Sequence, residues 1–195
     1  MLEIAGQVFA SRGFHDASMD EIAAAAGISK PMLYAYFDSK EGLYCSYIQR
    51  SGARLIEAMD AVLDPELGHE ELLWHSVLAF LGYVDDHRQG WAVLYRELGA
   101  SGGRWAKTVA EIREAIIRRT VVLLSAALKD RGTRHGDPEA WGHAFIGAGE
   151  SLANWWLDHP EEAKESVAAR LMDTAWVGLG QVVEGSAWRS SDPRD

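Results

Sequence analysis

Hydrophobic and polar positions follow a helical period along almost the whole chain. In the first segment, Ile4, Val8 and Phe9 fall on one side of a helix that should end near Gly13. Runs that alternate between apolar and polar residues are few, and the Asn-Gly and Asp-Gly pairs that mark tight hairpins are absent. The pattern therefore predicts an all-α fold.

Cap and turn residues mark where the next helices begin and end. Ser18 followed by Glu21 is a capping box, which predicts the start of a second helix. Gly27 should end that helix, because glycine adopts the left-handed conformation at little cost. Ser29 can cap a third helix, in which Pro31 is tolerated because an N–H of the first turn has no partner within the helix.

A fourth, longer helix is predicted to open at Asp38 and Glu41, which have the spacing of a cap pair, and to reach about Leu63. The next two residues, Asp-Pro, break the chain. Loops are expected at "GASGG" (99–103) and "DRGTRHGDP" (130–138). The later helices are expected at about 70–87, 89–100, 104–129, 138–158 and 161–184.

The second and third helices, with the short turn between them, have the layout of a helix-turn-helix. In such a motif the second helix presents its start to the major groove of DNA. Five of its apolar positions should be buried against the first helix: Ile22, Ala23, Ile28, Leu33 and Phe37. The outward side chains, and the caps whose helix N-termini can bind phosphate, are the DNA-binding candidates: Ser18, Ser29, Lys30, Met32, Tyr34 and Tyr36.

Charge argues against that interpretation. The chain of 195 residues has a formal net charge of −10, and its first 50 residues hold four basic and six acidic residues, a balance of −2. The segment that would bind DNA is therefore not a basic patch. Most of the acid lies in the remainder, where it would keep the protein soluble without touching DNA.

Composition excludes several other classes of protein. A hydrophobic content of 48% is enough for a packed core, and the lone Cys45 excludes an internal disulfide. The apolar runs are shorter than the roughly 18 residues of a membrane span. The N-terminus also lacks the features of a secretory signal. A cytoplasmic protein with no membrane partner is expected.

The first 50 residues resemble the DNA-binding domain of the tetracycline-repressor (TetR) family. The resemblance is carried by Phe9…Gly13-Phe14, "SMDEIA" (18–23), "AGIS" (26–29) and, above all, the spacing of Leu33-Tyr34-x-Tyr36-Phe37-x-Ser39-Lys40-Glu41. It implies that the third helix enters the major groove and that Tyr34, Tyr36 and Lys40 contact the DNA backbone. Family members usually carry further residues, often basic, before the first helix. This sequence begins at Met1, almost inside that helix, so phosphate contacts from such an arm are expected to be absent.

The same resemblance implies how the chain is divided. A helix-turn-helix DNA-binding domain is expected over residues 1–47. An all-helical domain for ligand binding and dimerisation should follow over residues 48–187. Residues 188–195, which are polar and contain proline, should be a frayed tail.

Aromatic residues are concentrated in the second of these domains. Seven of the eight tryptophans lie between residues 74 and 176. Any one of these rings is as well explained by burial in the core. Together with the resemblance, their number predicts the wall of a cavity for an apolar or aromatic ligand. The candidate lining residues are Trp74, Phe80, Tyr83, Trp91, Tyr95, Trp105, Trp141 and Phe145.

Small residues recur at helical spacing in the last two helices, among large apolar ones. Both helices are apolar on more than one face, so one face lacks an obvious partner within the chain. Burial inside a monomer is the alternative. The pattern favours a two-fold interface of four helices, two from each subunit. The candidate interface residues are Ala144, Gly147, Ser151, Trp155, Leu171, Ala175 and Gly178.

A helical enzyme is the rival class. Glu71 with His75, and Glu139 with His143, have a spacing that could bind a metal on a helix, but neither pair belongs to an H-E-x-x-H motif. No nucleophile motif and no phosphate-binding glycine loop accompanies them. No catalytic residue, metal or cofactor is therefore predicted.

A protein-interaction adaptor is a third class. It would account for the helices and the dimer face but would leave Tyr34, Tyr36 and Lys40 without a role. The favoured prediction is a ligand-responsive transcriptional regulator, by resemblance a repressor. It should bind a near-palindromic DNA operator as a homodimer and be released by a small apolar or aromatic ligand.

Overall fold

The computed structural model describes residues 1–99, 105–130 and 137–177. The predicted loop at 99–103, nearly all of the predicted break at 130–138, and everything predicted for residues 178–195, Gly178 included, lie outside the described residues. Within them the secondary structure is helical and no strand occurs, which confirms the all-α prediction. The helices are α1 Leu2–Asp16, α2 Met19–Ala25, α3 Lys30–Phe37, α4 Lys40–Asp60, α5 His69–Asp86, α6 Arg88–Gly99, α7 Ala106–Asp130, α8 Pro138–Leu157 and α9 Lys164–Leu171.

The junction between α3 and α4 differs from the prediction. Ser39, not Asp38, caps α4, since its hydroxyl accepts a hydrogen bond from the Gly42 amide at 3.0 Å. Asp38 instead ends α3 with a φ of 59°. The chain must reverse within two residues, and aspartate occupies positive φ more readily than most residues. Gly42 also has to be glycine-sized, because a Cβ there would collide with the Phe37 carbonyl.

The last helix also starts later than predicted. α9 begins at Lys164, and the residues that follow it, Met172–Val177, form a π-helical turn. The turn before α9 is held by the Trp156 indole N–H, which donates to the Glu162 carbonyl at 2.8 Å. This hydrogen bond spans the turn that contains Pro160, between α8 and α9.

Two compact units divide the chain. Unit 1 comprises Met1–Val62 and Ala79–Ile116, and unit 2 comprises Leu63–Leu78 and the residues from Ile117 onward. Helices α5 and α7 each contribute residues to both units. The domain boundaries predicted at residues 47 and 187 stay predictions.

In unit 1, α1 packs on α4 and α6. Phe9 is fully buried and meets the ring of Tyr44 edge-on, with 4.7 Å between centroids. Gly6 lets the two helices cross closely, because a Cβ there would collide with the ring of Tyr47. Of the positions predicted to be buried in the helix-turn-helix, Ile22, Ala23 and Leu33 are buried and Ile28 and Phe37 are half-buried.

In unit 2, α8 packs against α9 and the π-helical turn. Phe145 and Trp156 of α8 and Val167 and Leu171 of α9 are buried there. Close approach to α7 is possible at Gly142, since a side chain there would collide with Val121. Unit 2 therefore has its own apolar core.

Candidate nucleic-acid interface

The turn between α2 and α3 is a Schellman motif built on Gly27. The Gly27 amide donates to the Ala24 carbonyl at 3.2 Å, and the Ile28 amide donates to the Ala23 carbonyl at 3.1 Å. Gly27 has a φ of 65°, in the left-handed region that glycine favours. The predicted role of this glycine is confirmed, and the turn sets the angle at which α3 leaves α2.

Serine caps open both helices of the motif, as predicted. The Ser18 hydroxyl accepts a hydrogen bond from the Glu21 amide at 3.0 Å. The Ser29 hydroxyl accepts one from the Met32 amide at 3.3 Å, and Pro31 lies in the first turn of α3. These caps fix where each helix begins and hence where its positive end lies.

Helix α3 lies on the surface of unit 1, with one fully buried residue and the half-buried Phe37. Leu33 is fully buried, whereas Met32, Tyr34 and Tyr36 are 47%, 40% and 68% exposed. Large side chains with that exposure are free to contact a partner. These are three of the four residues predicted to face outward on α3, and each is accessible to a partner.

Two further residues of α3 are exposed, and sequence reasoning did not select them. Pro31 and Ala35 are four positions apart, so they lie on one side of the helix. Both are short, which lets a helix backbone approach a groove closely. The signal that identifies them is the single buried position at Leu33, which leaves the rest of the short helix outside the core.

Lys40 has a structural contact that its sequence position did not indicate. Its Nζ donates to the carbonyls of His15 and Ala17, at 3.0 and 2.9 Å, and lies 4.6 Å from the centre of the Phe14 ring. These carbonyls belong to the end of α1 and the residue after it, which follow the kink at Gly13. Lys40 thus ties the start of α4 to the end of α1.

Lys30 is held by an acidic residue of α2. Its Nζ donates to the Asp20 carboxylate at 2.8 Å, and both side chains are exposed. This hydrogen bond raises the pKa of Lys30 above its ordinary value. On the other side of α2, Arg12 pairs with Glu21 at 3.4 Å. Lys30 and Arg12 are therefore each paired with a carboxylate of α2.

Two buried tyrosines, Tyr47 of α4 and Tyr83 of α5, lie near the middle of α4. The Tyr83 hydroxyl donates to the Ser51 carbonyl at 2.8 Å, which joins α5 to α4 within unit 1. Burial raises the pKa of Tyr83 to about 12, and burial likewise raises the pKa of Tyr47. The ring of Tyr83 also stacks on His87, with 4.4 Å between centroids.

A polar cleft of about 320 Å³ lies beside these tyrosines. Glu3 of α1 and Arg54 of α4 form an ion pair across it, and Arg88 of α6 pairs with Asp85 at 2.6 Å. One ion pair of the cleft therefore joins α1 to α4, and the other spans the turn between α5 and α6. It contains only one of the predicted ligand-pocket residues, Tyr83.

The other predicted pocket residues of unit 1 fall into two ring clusters. Phe80 and Trp91 meet edge-on at 5.3 Å between centroids, and Trp91 lies 5.9 Å from Tyr95. Trp91 is buried, and its indole N–H has no acceptor among the described residues. Trp105 instead packs against Phe14 of α1 and Tyr44 of α4, with centroid distances of 4.4 and 4.5 Å.

The remaining three predicted pocket residues belong to unit 2. Trp74 lines an open groove of about 550 Å³ with Met172 and Trp176, rimmed by Glu70, Glu71 and Asp173. Phe145 is buried in the core and Trp141 is half-buried. The structure thus distributes the eight predicted residues over several places.

The predicted dimer face is partly exposed in the single chain. Ala144, Ser151 and Trp155 of α8 are exposed, and Gly147 between them is half-buried. Trp155 stacks on His159 at 4.2 Å. By contrast Leu171 is buried within unit 2, so it offers little surface to a partner, and Ala175 is half-buried.

No helix in the described ranges is long and apolar enough to cross a membrane. Among those same residues, histidine, cysteine and carboxylate side chains do not gather in groups of three or more that could hold a metal ion. Among the described residues, therefore, neither a membrane span nor a metal site is a candidate besides the exposed surface of α3.

Two family models match the chain. The one described as "Bacterial regulatory proteins, tetR family" matches residues 2–46, which contain the helix-turn-helix. The one described as "Tetracyclin repressor-like, C-terminal domain" matches residues 69–178, more than half of the chain. The two matches cover the segments for which the resemblance was inferred from sequence.

Individual relatives agree with these models. The HTH-type transcriptional activator FasR of Mycolicibacterium smegmatis is 30% identical over 184 residues, 93% of this chain and 82% of the relative. The crystal structure of a TetR-like transcriptional regulator from Rhodococcus sp. RHA1 is 40% identical, with a TM-score of 0.78 over 92% of this chain and 93% of the other. The fatty acid degradation regulator FadR of Bacillus halodurans shares the fold, with a TM-score of 0.80 over 91% and 93% at 21% identity.

These matches decide the class of the protein. The family models and the FasR relative describe transcriptional regulators and not enzymes, which excludes the catalytic alternative. The N-terminal match contains α1–α3 and so includes the exposed residues of α3. The chain belongs to the tetR family of transcriptional regulators, with an N-terminal DNA-binding helix-turn-helix domain and a C-terminal helical domain.

Proposed function

We propose that the protein is a ligand-responsive repressor that binds a near-palindromic operator as a homodimer. The exposed side of α3 carries this proposal, since Met32, Tyr34 and Tyr36 extend from a helix whose fully buried residue is Leu33. Tyrosine hydroxyls donate to phosphate oxygens, and an apolar side chain can meet a thymine methyl group. In this role α3 lies in the major groove.

The N-termini of α2 and α3 add phosphate contacts. Ser18 and Ser29 each use their hydroxyl as a cap, and the positive helix end attracts a phosphate oxygen. The ammonium group of Lys40 uses two of its donors to hold the end of α1, and its third donor binds a phosphate of the DNA backbone. These contacts fix the position of α3 on DNA, and its exposed side chains read the bases.

The homodimer forms through α8 and the helix that follows it. Ala144, Ser151 and Trp155 are exposed on α8, and a Cβ at Gly147 would meet nothing within 4 Å. A small residue with no intrachain reason to be small favours close approach of a second helix. The dimer would place the two copies of α3 about 34–36 Å apart, one turn of DNA.

The ligand is a small apolar or aromatic molecule, and the ring cluster of Phe80, Trp91 and Tyr95 is the part of unit 1 best suited to it. Aromatic rings provide the apolar contact. The buried indole N–H of Trp91 has no acceptor among the described residues, and such a donor favours a ligand that carries an oxygen acceptor.

Helix α4 couples the ligand to DNA. It begins directly after α3, packs on α1 and α6, and is joined to α5 by the Tyr83 hydrogen bond to Ser51. A ligand beside α5 and α6 would shift α4 and so change the spacing of the two copies of α3. Such coupling between sites typically amounts to about 1–3 kcal/mol.

Fluorescence anisotropy on the DNA upstream of the protein's own gene tests the proposal. Binding by two protomers per site, resistant to excess non-specific DNA, is the expected result. Apolar carboxylic acids and aromatic acids, added to the same complex, should release the DNA. Random-site selection with no enriched sequence would contradict the proposal.

Activation of transcription is a second candidate. FasR, the 30% identical relative, is named a transcriptional activator. Operator position distinguishes the two functions, because a repressor site overlaps the promoter and an activator site lies upstream of it. Transcription in vitro, with purified polymerase on the selected operator, should fall on addition of the protein if it is a repressor. It should rise if the protein is an activator.

A further inference from the structure

The first turn of α2 carries two neighbouring carboxylates next to the proposed DNA-binding helix. Asp20 binds Lys30, the first residue of α3, at 2.8 Å. Glu21 binds Arg12 of α1 at 3.4 Å. Both acids stand at a helix N-terminus, which is also where a phosphate would be attracted. In the free protein these carboxylates occupy the partners that DNA phosphates would use.

We infer that Asp20 is an internal counter-ion that occupies Lys30 until α3 meets DNA, and that it thereby weakens the attraction of Lys30 to phosphate on every sequence. The inference rests on the proposed docking of α3. Asp20 imitates a phosphate: its carboxylate accepts from the same Nζ and lies at the same helix end. Lys30 is exposed and its side chain is long, so it can exchange the carboxylate for a phosphate without any change in fold.

The net number of cations released in this exchange distinguishes Asp20 from an ordinary ion-pair partner on the protein surface. A lysine that binds a DNA phosphate releases a condensed cation, and each such contact steepens the dependence of log affinity on log salt by about 0.9. Lys30 must leave Asp20 to make that contact, and the freed carboxylate then attracts a cation from solution. Release and uptake nearly cancel, so Lys30 adds little to salt-dependent attraction while Asp20 is present.

The cancellation acts on every DNA sequence. Non-specific binding comes almost entirely from phosphate contacts, whereas operator binding also includes contacts with base edges. An internal counter-ion lowers the phosphate contribution on every sequence and leaves the base contacts of α3 unchanged. Asp20 therefore weakens binding to all DNA by a similar factor, and the difference between operator and non-specific binding stays with the base contacts of α3.

The experiment is a salt titration of full-length protein on a labelled random-sequence duplex, between about 50 and 200 mM salt. Asp20→Asn should raise the affinity about three- to tenfold at the lowest salt, and should steepen the slope by about 0.9 per protomer. Glu57→Gln is the matched control, since it removes one exposed charge of the same sign on α4. It should leave the slope unchanged.

Two variants at Lys30 make the test independent of how well Asp20→Asn folds. Lys30→Met alone should leave the slope of the parent nearly unchanged, because the exchange it removes releases no net ion. In the Lys30→Met background, Asp20→Asn should no longer steepen the slope. A Lys30→Met slope shallower by about 0.9 per protomer, or an equal effect of Asp20→Asn with and without Lys30, would overturn the inference. Absence of DNA binding by every variant at low salt would instead contradict the proposed docking of α3.

Discussion

Tyr83 shows how one buried side chain connects stability to pH. Its hydroxyl donates to the Ser51 carbonyl, and burial raises its pKa from 10.0 to about 12. As pH rises past 10, the unfolded chain loses this proton first, whereas the folded chain keeps it. The stabilisation by Tyr83 is therefore complete below pH 10 and declines as pH rises toward 12.

The expected loss over that range is about 2–3 kcal/mol of unfolding free energy from Tyr83, with Tyr47 contributing in the same direction. Tyr83→Phe should be less stable than the parent at neutral pH by about 1 kcal/mol, since it loses the hydrogen bond. It should also lose less stability between pH 10 and 12. Urea unfolding at several pH values measures both, and parallel pH profiles for the two proteins would contradict the assignment.

Lys40 illustrates a residue with two separable roles. Its two bonds to α1 carbonyls are charge-assisted, so Lys40→Ala should lower the free energy of unfolding by about 1–2 kcal/mol. Tyr34→Phe removes only an exposed hydroxyl and should change stability by less than about 0.5 kcal/mol. Urea unfolding separates the variants, and an unchanged midpoint in Lys40→Ala would mean that the carbonyl contacts contribute nothing.

On DNA the same two variants should behave alike. Each removes a proposed backbone contact, so each should weaken binding on all sequences, and the double variant should also flatten the salt slope. Anisotropy should be measured at protein concentrations and temperatures where Lys40→Ala is folded by circular dichroism. Parent-like affinity of the folded double variant at every salt concentration would contradict the proposed docking of α3.

At the scale of elements, the turn between α2 and α3 decides how the helix-turn-helix is set. Gly27 has a left-handed φ of 65°, and a Cβ there would meet nothing within 4 Å. The requirement for glycine is therefore conformational and not steric crowding. The Schellman hydrogen bonds of Gly27 and Ile28 depend on that conformation.

Gly27→Ala should accordingly cost about 1–2 kcal/mol of unfolding free energy. Gly27→Asn should cost less, because asparagine visits the left-handed region more readily than alanine does. In both variants the added Cβ meets nothing within 4 Å, so a steric clash of this atom does not contribute to the difference in stability. Equal costs in a urea titration would show that the positive φ is not the source of the effect.

At the scale of the whole molecule, the exposed side of α8 is the feature that a single chain leaves unexplained. Gly147→Leu should leave the subunit folded, since a Cβ there would meet nothing within 4 Å and leucine favours a helix. In the proposed homodimer it would separate the two copies of α8 and shift the protein toward monomers. Sedimentation velocity measures the change, and operator affinity should fall with it.

Glu57→Leu is the matched control for this prediction. It places the same residue, leucine, at an exposed position of α4, which belongs to unit 1 and not to the proposed face. It should keep the oligomeric state of the parent. A Gly147→Leu protein with an unchanged sedimentation coefficient would place the dimer interface elsewhere.

The amino-acid sequence by itself determined the features that depend on near neighbours. The caps at Ser18 and Ser29, the left-handed Gly27 and the exposed side chains of α3 each follow from residues within one or two helical turns. Helix caps, turns and amphipathic faces depend on interactions between residues a few positions apart, so spacing alone reveals them. The family resemblance rested on the same short segment.

Only the tertiary structure decided the contacts between distant residues. Lys40 binds carbonyls 23 and 25 positions earlier, and Lys30 binds Asp20 across the turn. Leu171, predicted to face a partner, is buried within unit 2, and the aromatic residues expected in one cavity are distributed between the two units. Which partner a side chain reaches depends on how helices pack, and helical period specifies a face without specifying what lies against it.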